Sequence, residues 1–218
     1  MSDTFIERDA VRILFIIYFC GKKLLQLSLL DDNDYTHLID SESKLQKIDF
    51  WIRYPDHLAA ALLYRCETNG EGSLANRAEE IKPIIRHIFQ AREPLLRWIP
   101  MRKYLRGAYE PLDTVMAYVS ALGLAYRRVL EWGHCTYYFL TPKGSGVVER
   151  IQNECEESRW YAERCQLINE FFGHLNGFEI RTLQYLQATY KITPNLGTID
   201  RIEPEIRQRF ARFYGEEL

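Results

Sequence analysis

Residues 122–144 read Leu-Gly-Leu-Ala-Tyr-Arg-Arg-Val-Leu-Glu-Trp-Gly-His-Cys-Thr-Tyr-Tyr-Phe-Leu-Thr-Pro-Lys-Gly. Two runs rich in aromatic and β-branched residues, 126–130 and 136–140, flank Glu131-Trp132-Gly133-His134, whose glycine suits a turn, so a β-hairpin is expected. Upstream, 112–122 has helical spacing, with Pro111 acceptable at its start and Gly123 placed to end it. Downstream, Thr141 can cap a helix whose first position is Pro142, with Val147, Val148 and Ile151 on its apolar side. Helix, strand, turn, strand and a Leu-Thr-Pro-Lys-Gly exit into a further helix is the order of a winged helix. The expectation is a mainly α protein: a winged-helix core with a two-stranded wing and additional N- and C-terminal helices. In linear terms this is an N-terminal helical region 1–75, a winged-helix region 76–152 and a C-terminal helical region 153–218, packed as one compact unit.

Outward from that stretch the chain stays largely helical. Val11, Leu14, Phe15, Tyr18 and Phe19 recur at helical spacing until Gly21. Residues 24–30 fit a short strand or a helix, and the acidic stretch 31–40 fits a loop. Ser41 or Ser43 can cap a helix that buries Leu45, Ile48, Phe50, Trp51 and Ile52 and stops at Pro55; Asp56 can cap the next, 57–66. Residues 78–91 read as a helix with Pro83 in its first turn or at a bend. Residues 101–109 mix bases with aromatics and read as an exposed segment or strand. Further helices are expected at 156–172, at 178–190 and after Pro204.

Composition narrows the function. The 218 residues carry a net charge of −2, so nothing global marks a nucleic-acid binder. From Lys82 to Arg128, however, nine bases stand against three acids, and both flanks are acidic. Arg102, Lys103, Arg106 and Lys143 are therefore candidate phosphate contacts, with Trp98, Tyr104 and Tyr109 interleaved. In the last helix Phe210, Phe213 and Tyr214 lie among Arg207, Arg209 and Arg212. Aromatic residues and arginine are enriched at interface hot spots, so Arg207, Phe210, Phe213 and Tyr214 are candidate partner contacts. Five cysteines without a CxxC argue against a disulfide framework and for a reducing, cytoplasmic compartment. The apolar run 11–20 carries Arg12 and is too short to span a bilayer.

No glycine-rich phosphate loop, HExxH or GxSxG is present, and the histidines at 37, 57, 87, 134 and 174 are dispersed. Asp56-His57 fits a helix start better than a catalytic pair. His134, Cys135, Cys155 and Cys165 have no usual zinc spacing. The chain is expected to be no enzyme, with no catalytic residue, cofactor, metal or small-molecule substrate.

Three blocks carry a family resemblance. Lys44-Leu45-Gln46-Lys47-Ile48-Asp49-Phe50-Trp51-Ile52-Arg53-Tyr54-Pro55 resembles a "KL-x-KLDF-LLRYP" block. Met101-Arg102-Lys103-Tyr104, Tyr109-Glu110-Pro111-Leu112-Asp113 and Leu140-Thr141-Pro142-Lys143-Gly144 resemble "R-Y-x-YGPWD … GL … LT-x-x-G". The third block is 167–183 with Gly177. These blocks resemble the middle component of bacterial ABC three-component defence systems, Lamassu-type systems included. Glu110-Pro111-Leu112 departs from the pattern where a Trp-Asp is usual. The resemblance implies a non-catalytic winged-helix subunit that docks on an SMC-like coiled-coil ATPase and helps it sense double-stranded DNA. It further implies coupling to an effector such as a nuclease, in an antiviral role. A free-standing winged-helix transcription regulator is the competing expectation. Residues 112–122 serve it poorly, offering Asp113, Thr114, Tyr118 and Ser120 but no Arg, Lys, Asn or Gln for base edges. An enzyme with a dispersed site is a third class.

Overall fold

The computed structural model describes residues 3–24, 34–68, 73–105, 107–130 and 135–218. In chain order the elements are α1 (Asp3–Cys20), β1 (Lys22–Lys23), β2 (His37–Ile39), α2 (Glu42–Arg53), α3 (Pro55–Glu67), a 3-10 turn (Ala75–Arg77), α4 (Ala78–Gln90) and α5 (Glu93–Leu96). Then come β3 (Arg102–Tyr104), β4 (Gly107–Tyr109), α6 (Asp113–Ala121), β5 (Ala125–Leu130), β6 (Cys135–Leu140), α7 (Pro142–Glu154), α8 (Glu156–Phe172), α9 (Gly177–Tyr185), α10 (Ala188–Ile192) and α11 (Glu203–Tyr214). The protein is mainly helical, with a small antiparallel sheet. No helix among the described residues is long and apolar enough to cross a membrane.

The elements form two compact units, each built from two stretches of chain: Met1–Asp49 with Glu110–Ile180, and Phe50–Tyr109 with Arg181–Leu218. These are not the linear segments 1–75, 76–152 and 153–218, because the chain leaves the first unit at residue 49 and returns to it at 110.

In the first unit the sheet order is β1-β2-β6-β5, antiparallel throughout. Helix α1 packs on α6, α7, α8, β2 and β6, and its residues Ile13 to Ile17 are buried almost completely. One polar group joins that interior: the Arg12 guanidinium pairs with the buried Asp49 carboxylate and, at 2.7 Å, with Asp9. Burial alone would lower the pKa of Arg12, but the two carboxylates hold it above its ordinary value. Removing either partner would leave a buried charge uncompensated. Ser41 caps α2, its Oγ accepting from the Lys44 N–H at 3.3 Å.

The second unit is organised around α3, which contacts α4, α5 and α11. Its Leu58-Ala59-Ala60-Ala61-Leu62-Leu63 run is buried throughout, as befits a helix with apolar side chains all round. Of the α2 residues before Pro55, Phe50 and Trp51 in this unit, like Leu45 and Ile48 in the first, are buried, as their helical spacing implies. Helix α3 begins at Pro55, one turn position before Asp56, so Asp56 is not its N-cap. Instead the Asp56 carboxylate accepts from the N–H of Ile202 at 2.6 Å. The single helix expected over 178–190 is two, α9 and α10, broken at Leu186 and Gln187. The Gln187 amide is turned to His57, donating to its carbonyl at 3.1 Å and accepting from the ring at Nδ1. Residues 25–30, Arg106 and residues 131–134, where a turn was expected, lie outside the described residues.

Candidate functional site

The Leu-Thr-Pro-Lys-Gly exit from β6 into α7 has a clear local cause. Helix α6 ends in a Schellman-type turn, with Gly123 at φ 68°, its N–H on Ser120 O (2.9 Å) and the Leu124 N–H on Val119 O (2.9 Å). Thr141 caps α7 by accepting from the Gly144 N–H at 3.0 Å, and its own hydroxyl donates to Gly123 O at 2.8 Å. Gly144 lies so close to the Leu124 carbonyl that a Cβ would fall 2.1 Å from its oxygen. Lys143, a candidate phosphate contact, is exposed, but its ammonium donates to Leu122 O at 2.8 Å, on the carbonyl end of α6.

Strand β5 carries two arginines. Arg127 is paired with Asp113 at 2.7 Å, an interaction that raises its pKa. The Arg128 guanidinium lies 5.0 Å over the Tyr126 ring. Sequence reasoning counted both in the basic run but did not select them. Their place on the first strand of the expected hairpin was the available signal. On α6 the exposed residues include Asp113, Thr114 and Ala117.

In the second unit the candidate cations behave differently from one another. Arg102 is exposed on β3. Lys103, next to it, is only 6% exposed. Its ammonium donates to the carbonyls of Tyr190 (2.9 Å), Lys191 (2.8 Å) and Thr193 (2.8 Å) and lies 5.4 and 5.6 Å from the Tyr185 and Tyr190 ring centroids. Burial lowers the pKa of this group; the three carbonyls are the acceptors that offset the cost. Lys103 is thus not a phosphate contact. Alternation along a strand turned one base outward and the next inward. Lys143 belongs to the first unit and Arg102 and Lys103 to the second, and Arg106 lies outside the described residues.

The C-terminal helix packs onto its own unit. Phe210 is fully buried, Tyr214 donates from its hydroxyl to Ala78 O at 2.8 Å, and Arg207 pairs with Glu203 at 2.8 Å while its guanidinium lies 5.3 Å over Phe89. Arg209 clamps Glu67 of α3, and Glu216 bridges Lys82 and Arg86 of α4. Helix α11 therefore belongs to the core of its unit. Of the four residues named for partner binding, Phe210 is sealed and Tyr214 half-buried, while Phe213 and the Arg207 side chain are exposed, at 37% and 42%.

Asp56 and His57 are both buried and hydrogen-bonded within the unit; His57 Nε2 lies 2.9 Å from Asp200 O. Four free thiols are described: Cys20, Cys66, Cys155 and Cys165. Burial pushes the Cys66 thiol up to about 11, away from nucleophilic use. Among the described residues no three His, Cys, Asp or Glu side chains converge as a metal site.

With this geometry in view, the chain was compared with known protein families, curated proteins and solved structures, and it matches none of them.

Proposed function

We propose that this chain is a non-catalytic binding subunit built on a winged helix, with residues 50–109 interposed between the second and third helices of that fold. The observation that carries this reading is the order α1, β2, α2, α6, β5, β6 combined with the sheet order β2-β6-β5. A first strand that pairs with the last strand of the wing, and a last helix that feeds directly into the hairpin, are the connections of a winged helix. The two-stranded wing is then β5–β6, and α6 stands at the recognition position.

The resemblance in the sequence supplies the partners: an SMC-like coiled-coil ATPase, an effector, and double-stranded DNA met within the assembled complex in the cytoplasm. The chemistry of α6 favours protein contact over the free-standing regulator. Its exposed side chains include Asp113, Thr114 and Ala117, and Arg127 is already engaged by Asp113. Arg128 and Lys143 are then the wing's phosphate contacts, sequence-independent and salt-sensitive.

The experiment is co-expression with the genes beside it. A stable complex with a large coiled-coil ATPase, in which Arg128→Glu with Lys143→Glu reduces the salt-dependent DNA affinity, is the expected result. A chain that purifies alone and binds a specific duplex as a dimer would establish the regulator instead.

A further inference from the structure

Helices α4 and α11 meet along a ladder of cations and rings. On α4, Lys82, Arg86 and Phe89 share one face at i, i+4 and i+7; on α11, Arg207, Phe210 and Tyr214 share one at i, i+3 and i+7. The Lys82 ammonium lies 5.4 Å from the Tyr214 ring centroid, the Arg86 guanidinium 5.7 Å from that of Phe210, and the Arg207 guanidinium 5.3 Å from that of Phe89. Numbers rise on one helix as they fall on the other, so the pairs run antiparallel and the cations form a row along the seam. Phe210 is fully buried and Phe89 nearly so, which fixes the rings under the two guanidiniums.

Residues 215–218 form a strap on this row. Helix α11 ends at Gly215, whose φ of 70° turns the chain back. The Glu216 carboxylate accepts from Lys82 at 2.7 Å through one oxygen and from Arg86 through the other. Two residues on, Leu218 O accepts from Arg207 at 2.6 Å. Lys82 and Arg86 pair with no other carboxylate among the described residues.

The two sides of this contact are held differently. The cations are stacked on rings of a packed core, so the receiving side is preorganised. On the strap, Gly215, Glu216 and Glu217 are exposed, and no side chain of 215–218 is buried. Its hold is ion pairs open to solvent, which contribute little and weaken with salt. A segment seated so lightly on a prebuilt row is exchangeable, and it displays the chemistry that the row accepts: a carboxylate at one position and a peptide carbonyl two residues later. Phosphate would suit the cations alone; a carbonyl at Arg207 belongs to a peptide.

We infer that the α4–α11 seam is a docking groove for an acidic, extended segment of a partner protein, and that residues 215–218 are a built-in competitor which that segment displaces. The inference rests on the reading of the chain as a binding subunit and gives that reading a surface.

The test uses the full chain and a fluorescent, amidated peptide carrying Gly-Glu-Glu-Leu twice, titrated at low ionic strength. A strap closed about nine-tenths of the time lowers the apparent affinity of a competitor about tenfold. Glu216→Lys repels Lys82 and Arg86 and opens the strap, so it should bind the peptide at least tenfold more tightly than the parent, at nearly the parent's melting temperature. Glu217→Lys adds the same charge beside the row and should bind as the parent does. Arg86→Gln added to Glu216→Lys should lose the gain, as should added salt, and a peptide with lysines for glutamates should not bind. The inference is overturned if Glu216→Lys and Glu217→Lys bind alike, if Glu216→Lys does not bind the peptide, or if it melts well below the parent. A gain seen with double-stranded DNA and not with the peptide overturns it too. A concentration-dependent dimer of the parent that Glu216→Lys dissolves would assign the groove to a second copy instead. If the ATPase complex forms equally well with Arg86→Gln, the binding-subunit reading stands and this groove is not its surface. If the peptide results hold in a chain that forms no such complex, the groove stands and the subunit reading fails.

Discussion

Lys103→Met tests the most specific correction that the structure makes. The substitution keeps most of the aliphatic stem and removes the ammonium. Three hydrogen bonds to backbone carbonyls disappear, at Tyr190, Lys191 and Thr193, together with the cation over two tyrosine rings. A hydrogen bond to a charged group contributes about 1.5–3 kcal/mol, and each buried acceptor left alone costs about 1–3 kcal/mol. Water reaching some of the freed carbonyls, and the removed cost of burying an ammonium, both work against the full sum. A net loss of about 4 kcal/mol follows, within the ~3–5 kcal/mol typical of a broken buried charge network. For a chain of this size that is a fall of about 8–16 °C in melting temperature. Arg102→Met, on the exposed neighbour, should stay within about 0.5 kcal/mol of the parent. Urea unfolding of the pair, read at unchanged slope, measures both. If Lys103→Met unfolds at the same urea concentration as Arg102→Met while DNA affinity drops, the ammonium is a surface phosphate contact and the caged-lysine account is wrong.

Other outcomes can be checked with the same material. Deleting 207–218 should yield an unfolded or insoluble chain, and Phe210→Ala should cost about 3–5 kcal/mol by urea unfolding, because α11 closes the core of its unit. A soluble, cooperatively melting truncation would show that α11 is an appendage. Gly144→Ala should destabilise by about 1–3 kcal/mol or more, since its Cβ would meet the Leu124 carbonyl backbone; an unchanged melting temperature would contradict that approach. His37 has its pKa lowered by burial and then by Lys23, with Glu149 opposing. The folded protein then binds this proton more weakly than the unfolded chain does. Stability should be full above the ordinary histidine value of about 6.5 and fall as pH drops through the lowered one. His37→Phe should flatten that part of the pH–stability curve, and an identical slope in both proteins would remove His37 as its source.

What was legible in the sequence is what local chemistry decides. The glycine ending α6, the threonine–proline start of α7 and the serine cap of α2 each depend on groups within a few residues, and each stands where the pattern puts it. Lys103 was not legible because its acceptors lie 87 to 90 residues further on. The charge run that named it records composition and not which side of a strand faces water. Phe210 and Phe213 are three residues apart in the same helix, yet one is sealed and the other open. An arginine-flanked aromatic helix reads the same way whether it meets a partner or its own core.

The division of the chain was hidden for a related reason. A contiguous winged-helix region at 76–152 follows from reading helices in order. The strand that completes the sheet, β2, precedes that region entirely and pairs with β6 through His37–Leu140, Leu38–Phe139 and Ile39–Tyr138. Three residues are too short a run to signal a strand by alternation, so the wing looked two-stranded and self-contained. Once β2 is restored, residues 50–109 become an insertion, and the basic run splits. Arg127 and Arg128 stay on β5 in the first unit. Arg102 and Lys103 go to the inserted unit, where one is exposed and the other is caged. Under the proposed function, Arg128→Glu with Lys143→Glu should lower the salt-dependent DNA affinity, and Arg102→Glu in the other unit should leave it unchanged. An equal loss in both variants would mean that the bases of the run act as one surface.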